Sequence, residues 1–252
     1  MPTFLIQGAG RGLGLALCQA VLETESSIRV IATARDPDRS DGLAELQKRW
    51  GSPHLEHVAL DITSQRSVEH ARRIVGDMCD QLDVVITCAG LLHDEQRGIW
   101  PEKKLGDIKA DNLAQSFAVN AIGPALMIRY FHDLLPKSER GVIASLSARV
   151  GSISDNGLGG WYAYRASKAA QNQITQTASI ELRRRSKGHH ICVGLHPGTV
   201  DTGLSEPFQN HVPPTQLQAP ATAAKHLLSV IDNLTPDDTG RVFDWAGKPI
   251  EP

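Results

Sequence analysis

Seven short runs rich in β-branched and aliphatic residues recur along the chain: Thr3 to Gln7, Ile28 to Ala34, Leu55 to Asp61, Val84 to Cys88, Gly141 to Ser147, Ile191 to His196 and Arg241 to Trp245. Helical stretches separate them. Several runs, such as Val84-Val85-Ile86 and Val142-Ile143-Ala144, are apolar on both faces, which suits a parallel sheet covered by helices on each side. The alternation therefore predicts an α/β chain with a doubly wound parallel sheet of about seven strands and helices on both faces. No internal repeat or low-complexity linker divides the chain, and 252 residues suffice for one large core, so a single domain over 1–252 is expected.

Charge and cysteine usage narrow the function classes. A formal charge of -2 gives no general attraction for nucleic acid or an anionic membrane. The basic cluster Arg183-Arg184-Arg185 falls at the end of a helical stretch before Gly188, where cations meet the negative end of the helix dipole. Cys18, Cys79, Cys88 and Cys192 are too widely spaced for a zinc cluster and too few for a disulfide scaffold, which points to a reducing, cytoplasmic location. Phe4-Leu5-Ile6 is too short for a signal peptide or a membrane span. His54 and His57 fall where strand alternation sends them to different faces, and His189-His190 reads as a solvated loop, so no metal is expected.

Two local patterns carry chemistry. Tyr164 and Lys168 stand four apart in a helical stretch and so project from one face, a phenol beside an ammonium whose charge would favour the phenolate. After the first run comes Gly8-Ala9-Gly10-Arg11-Gly12-Leu13-Gly14, a glycine turn leading into a helix near Leu13 to Leu22. Such a turn lets backbone approach a pyrophosphate, with helix amides aimed at the anion. The spacing is Gly-x3-Gly-x-Gly, not the commoner Gly-x-Gly-x2-Gly. About 20 residues on, the second run ends in Ala34-Arg35-Asp36; Arg35, with Arg11, favours a 2′-phosphate and hence NADP over NAD. Asp36, followed by Pro37, reads as a helix N-cap.

Gly8-x3-Gly12-x-Gly14, Asp61, Ala89-Gly90, Asn120, Tyr164-x3-Lys168 and Pro197-Gly198, in that order, resemble the short-chain dehydrogenase/reductase family. Within it, Phe117 to Pro124, Val150 to Ile153, Gly160 to Tyr164 and Phe243-Asp244-Trp245 are similar to the branch of C-factor (C-signal) proteins and sniffer-type carbonyl reductases. The resemblance implies a Rossmann-type fold and hydride transfer between NADP and a small carbonyl or secondary alcohol substrate. It implies Tyr164 as acid/base, Lys168 on the nicotinamide ribose, and Asn120 anchoring a proton-relay water. The implied cofactor contacts are Gly8, Arg11, Gly12, Leu13, Gly14, Arg35, Asp61, Ile62, Cys88, Ala89, Gly90, Asn120, Tyr164, Lys168, Pro197, Gly198, Val200 and Thr202. It further implies a homodimer or homotetramer, formed through helices about Asn112 to Leu135 and Tyr162 to Arg184.

The chain departs from the family twice. In Ser145-Leu146-Ser147-Ala148-Arg149-Val150-Gly151 an alanine, Ala148, takes the place of the family's second serine, leaving Ser147 as first choice and Ser145 as second for orienting the substrate oxygen. Thr87-Cys88 precedes Ala89-Gly90 where the family often has two asparagines, and Cys88 reads as a packed thiol. The substrate walls are expected from the loops near 91–106 and 203–220, beyond strand ends. The C-factor resemblance and the altered serine leave one rival: a nucleotide-binding signalling or regulatory protein with little or no catalysis.

Overall fold

The computed structural model describes residues 1–24 and 27–252, with His211 described by its backbone alone. Seven parallel strands form the sheet where the sequence places them: β1 (Thr3–Gln7), β2 (Arg29–Ala34), β3 (Leu55–Ala59), β4 (Val84–Thr87), β5 (Gly141–Leu146), β6 (His190–His196) and β9 (Val242–Asp244). Three two-residue strands were not expected. β10 (Pro249–Ile250) adds an antiparallel edge beside β9, while β7 (Thr199–Val200) pairs with β8 (Leu217–Gln218) outside the sheet. Pieces of two residues carry no readable periodicity, so only their partners define them.

Strand alternation divides the core in two. Phe4 and Ile6 of β1, Val30 and Ala32 of β2 and Val142 and Ala144 of β5 face α1 (Gly12–Leu22), α2 (Asp41–Trp50) and α7 (Pro220–Asn233). Leu5, Ile31, Val85 and Ile143 face α3 (Gln65–Met78), α5 (Gly123–Phe131) and α6 (Tyr162–Arg185). α4 (Ala110–Phe117) runs into α5 through a π-helical turn, Ala118–Ile122, and packs against α6. Sheet order is β10-β9-β6-β5-β4-β1-β2-β3, so the winding reverses between β1 and β4. A crevice outside the carboxyl ends of those two strands is where this class of sheet takes its ligands.

Asp36 does not cap a helix with its side chain. It precedes a single 3-10 turn, Pro37–Arg39, and its carboxylate lies 3.7 Å from Arg39. Ser40 caps α2 instead, accepting the Leu43 amide at 3.2 Å and donating to the Gly10 carbonyl at 2.7 Å. The proline shortens the turn, and the cap passes to the next hydroxyl. His54 bonds the Ile28 carbonyl and His57 bonds Asp38, each at 3.0 Å, so the two rings are engaged separately.

Candidate active site

The glycine turn sits at the reversal point. The amides of Gly8 and Ala9 both donate to the Thr33 carbonyl at 2.9 Å, and Gln7 Oε1 accepts the Ala89 amide at 3.2 Å, which ties the turn to β2 and to the end of β4. A Cβ on Gly14 would stand 2.2 Å from the Gly8 carbonyl oxygen, and one on Gly8 (φ +82°) would stand 2.9 Å from the Ala89 nitrogen. Both contacts are with backbone atoms. The cradle is therefore closed to side chains and lined by amide groups, with the N-terminus of α1 behind it. Leu13 is buried in the core below.

Arg11 and Arg35 are exposed at the rim of this cradle, and neither has an ion-pair or hydrogen-bond partner among the described residues. On the same rim, Asp61 turns one carboxylate oxygen to the Thr63 amide and hydroxyl at 2.9 and 2.7 Å, while Ile62 is buried against Gly123. Cys88 is a partly accessible thiol whose pKa burial pushes far up, so it is not a nucleophile at neutral pH. Pro197 and Gly198 (φ +76°) lead from β6 into β7, where Val200 is buried. The Thr202 methyl comes within 3.4 Å of a Cβ built on Gly12, so this loop reaches over the glycine turn.

α6 carries Tyr164 and Lys168 beside the β5 end. The Lys168 ammonium donates to the Leu146 carbonyl at 2.6 Å and to Gln171 Oε1 at 2.9 Å, and lies 5.9 Å from the centre of the Tyr164 ring. Desolvation dominates both groups. It lowers the Lys168 pKa to about 7 and raises that of Tyr164 to about 12. The expectation that the ammonium acidifies the phenol is thus reversed in this conformation: the amine is engaged by a carbonyl and an amide, and burial penalises the phenolate more than a distant cation favours it.

Asn120 is fully buried in the π-helical turn. Its amide accepts the Leu91 N–H at 2.8 Å and donates to the Leu91 carbonyl at 2.8 Å and to Ser167 Oγ at 3.0 Å. It thereby joins the loop after β4 to α6. Ser147 donates to Asn172 Oδ1 at 2.6 Å, whereas Ser145, one strand step back on the same face, has a buried hydroxyl with no partner among the described residues. Ala148 begins the following turn and is buried.

Sequence reasoning missed the wall that joins the two expected loops. His93 stacks on Trp100 with centroids 5.4 Å apart, meets Phe208 edge-on at 5.6 Å, and bonds the Gly203 carbonyl at 2.9 Å. Phe208 packs on Trp161 at 5.1 Å, and Trp161 on Tyr164 at 6.2 Å. An apolar, aromatic surface thus runs from both loops to the phenol. Glu102, 2% exposed, accepts the Ala163 amide with its carboxylate (3.0 Å) and the Trp161 amide with its carbonyl (2.6 Å), pinning the first loop to the start of α6. Aromatics scattered over more than a hundred positions share no local pattern, and nothing in the sequence marks Glu102.

The family model for short chain dehydrogenase matches residues 2–212. C-signal of Myxococcus xanthus is 36% identical over 172 residues, 67% of this chain and 92% of that protein. The crystal structure of an NADPH-bound carbonyl reductase from chicken fatty liver superposes with a TM-score of 0.84 at 28% identity, covering 100% of this chain and 99% of that one. A carbonyl reductase from Pseudomonas aeruginosa in complex with NADP gives 0.78 at 26% identity over the full length of both.

Proposed function

The chain belongs to the short-chain dehydrogenase family, and from that premise we propose that it is an NADP-dependent oxidoreductase that reduces a small carbonyl compound, with Tyr164 as the proton donor. The observation that carries it is the placement of the Tyr164 phenol, which ends the aromatic wall running from both loops and stands beside Lys168, whose ammonium is 5.9 Å from the ring centre. Protonated at neutral pH, as an ordinary phenol also is, it is the acid that reduction needs.

The residues present fit the cofactor. The side-chain-free cradle of Gly8, Gly12 and Gly14 suits a pyrophosphate, Arg11 and Arg35, exposed and without an ion-pair partner among the described residues, suit a 2′-phosphate, and the Asp61 oxygen that takes no bond from a described residue suits an adenine amine. When bound, the reduced cofactor, NADPH, would supply the hydride. Backbone at Cys88, Ala89 and Gly90 would flank its ribose, and Pro197, Gly198, Val200 and Thr202 would face the carboxamide. Lys168 would hold the nicotinamide ribose hydroxyls with its remaining N–H. Asn120 would lead protons towards the lysine while also stabilising the π-helical turn. Ser147 would orient the substrate oxygen, and the loops near 91–106 and 203–220 would form the walls. Association of copies through α4–α5 and α6, where Ile122 and Ile180 are exposed, belongs to the same reading.

Oxidation of NADPH and of NADH across a panel of aldehydes, ketones and quinones tests this. The Arg35→Ala variant is expected to weaken NADPH binding at least about tenfold, one charge-assisted contact being worth roughly 1.5–3 kcal/mol, and to leave NADH nearly unchanged. Equal loss for both cofactors would refute 2′-phosphate recognition. Ser147→Ala is expected to lower turnover by about 10²-fold, the usual effect of removing one donor from a reacting oxygen, and Ser145→Ala by much less. The reverse order would move the role to Ser145.

One observation favours a second reading. The relative at 36% identity is named C-signal, and Ala148 stands where a serine is expected. A regulatory nucleotide binder would bind NADPH yet consume none across the whole panel, and Lys168→Ala would then change affinity alone.

A further inference from the structure

Gln171 stands one helical turn beyond Lys168, on the same face of α6, and is 1% exposed. Its two amide ends make different bonds. Oε1 accepts the Lys168 ammonium at 2.9 Å, and Nε2 donates to the Leu146 carbonyl at 3.1 Å, the same oxygen that Lys168 reaches at 2.6 Å. Lysine, glutamine and strand-end carbonyl thus close a ring of hydrogen bonds inside the wall of the cleft. A buried amide with both ends engaged has one orientation, so the ring fixes where the ammonium sits.

We propose that Gln171 is a positioning residue: with the Leu146 carbonyl it holds Lys168 in its charged form and spends two of the three ammonium donors, leaving one for a ligand. This rests on the reading of Lys168 as a cofactor-side residue. The alternative to the glutamine at this place is an apolar side chain of similar length, which fills the volume and accepts nothing. A desolvated ammonium would then keep a single acceptor and surrender its proton more readily.

The groups that could confuse a titration here are few. Tyr164 lies on the same helix, and at the end of β6 His196 feels the charge of the lysine as well as that of Arg149 and Asp244, themselves 3.6 Å apart. Burial takes His196 down to about 4 and Tyr164 up to about 12, so neither changes charge near neutrality. β5 contributes Ser145 and Leu146, and Ser147 follows it; none of the three titrates in the working range.

The test is a side-chain NMR titration of the cofactor-free full chain labelled at lysine Cε, with the Lys168 resonance assigned from Lys168→Arg. Gln171→Leu is expected to move the midpoint down and Gln171→Glu to move it up, each by about one pH unit. A shift of that size makes the Leu variant turn over about tenfold more slowly at pH 8 but only about twofold at pH 6. Shifts in the same direction in both variants, or in neither, would overturn the proposal, since loose packing alone has no sign. The isosteric Glu variant keeps the test open should the Leu protein fail to fold. Tyr164→Phe and Lys168→Ala run alongside: normal turnover in those would remove the Tyr164–Lys168 pair from the chemistry, while the direction of the NMR midpoints judges Gln171 separately.

Discussion

Tyr164→Phe is expected to bind NADPH within about twofold of the parent and to lose turnover by roughly 10²–10⁴, the span of a positioned general acid. The ring keeps its packing on Trp161, and no hydrogen bond of the phenol to another described residue is lost. Only the proton goes. Measured by NADPH fluorescence and by steady-state rates, this separates binding from chemistry. Full turnover in the variant would remove Tyr164 as the acid. A matching loss of affinity would show that the phenol serves the cofactor and not the substrate.

Gly14→Ala should unfold the site from the other end. A methyl at this position meets the Gly8 carbonyl oxygen at 2.2 Å, inside any allowed contact, and neither partner has a side chain that can yield. Either α1 moves off β1 or the turn opens; overpacking of this kind costs about 1–3 kcal/mol, hence a fall of about 2–12 °C in Tm for a chain of this size. NADPH affinity should drop below detection, because the amides that would face the pyrophosphate move with the helix. Gly157→Ala, where a Cβ meets nothing within 4 Å, is the matched control and should leave both properties unchanged. A Gly14→Ala protein with parental Tm and affinity would mean that the turn is not the cradle.

The fold was legible because several of the seven strands are apolar on both faces and alternate with helical stretches, a pattern that a parallel sheet covered by helices accommodates. Residues of the proposed site that lie in short local patterns, the glycine turn, Ala89-Gly90, Tyr164-x3-Lys168 and Pro197-Gly198, could be read for the same reason: each does its work within a few positions. Asn120 was readable as a polar residue at a helix distortion, though not its bonds to Leu91. What could not be read depends on distant partners. The wall of His93, Trp100, Phe208 and Trp161 comes together only when two loops fold towards each other. The acidity of Tyr164 was misjudged because four-residue spacing gives proximity without burial, and burial sets the sign here. Asp36 does occupy a helix N-cap position before Pro37, but the helix is a single 3-10 turn and the carboxylate makes no cap bond.

Three of the four tryptophans stand around this crevice: Trp100 and Trp161 in the aromatic wall, and Trp245, whose ring edge reaches within about 3 Å of a Cβ built on Gly198. The fourth, Trp50, lies apart at the end of α2 under Arg49. Two of the four intrinsic fluorophores, Trp100 and Trp161, therefore stand where the loops meet, and displacement of either loop alters the surroundings of those rings. The chain comes with its own spectroscopic gauge of loop position, with no dye to attach.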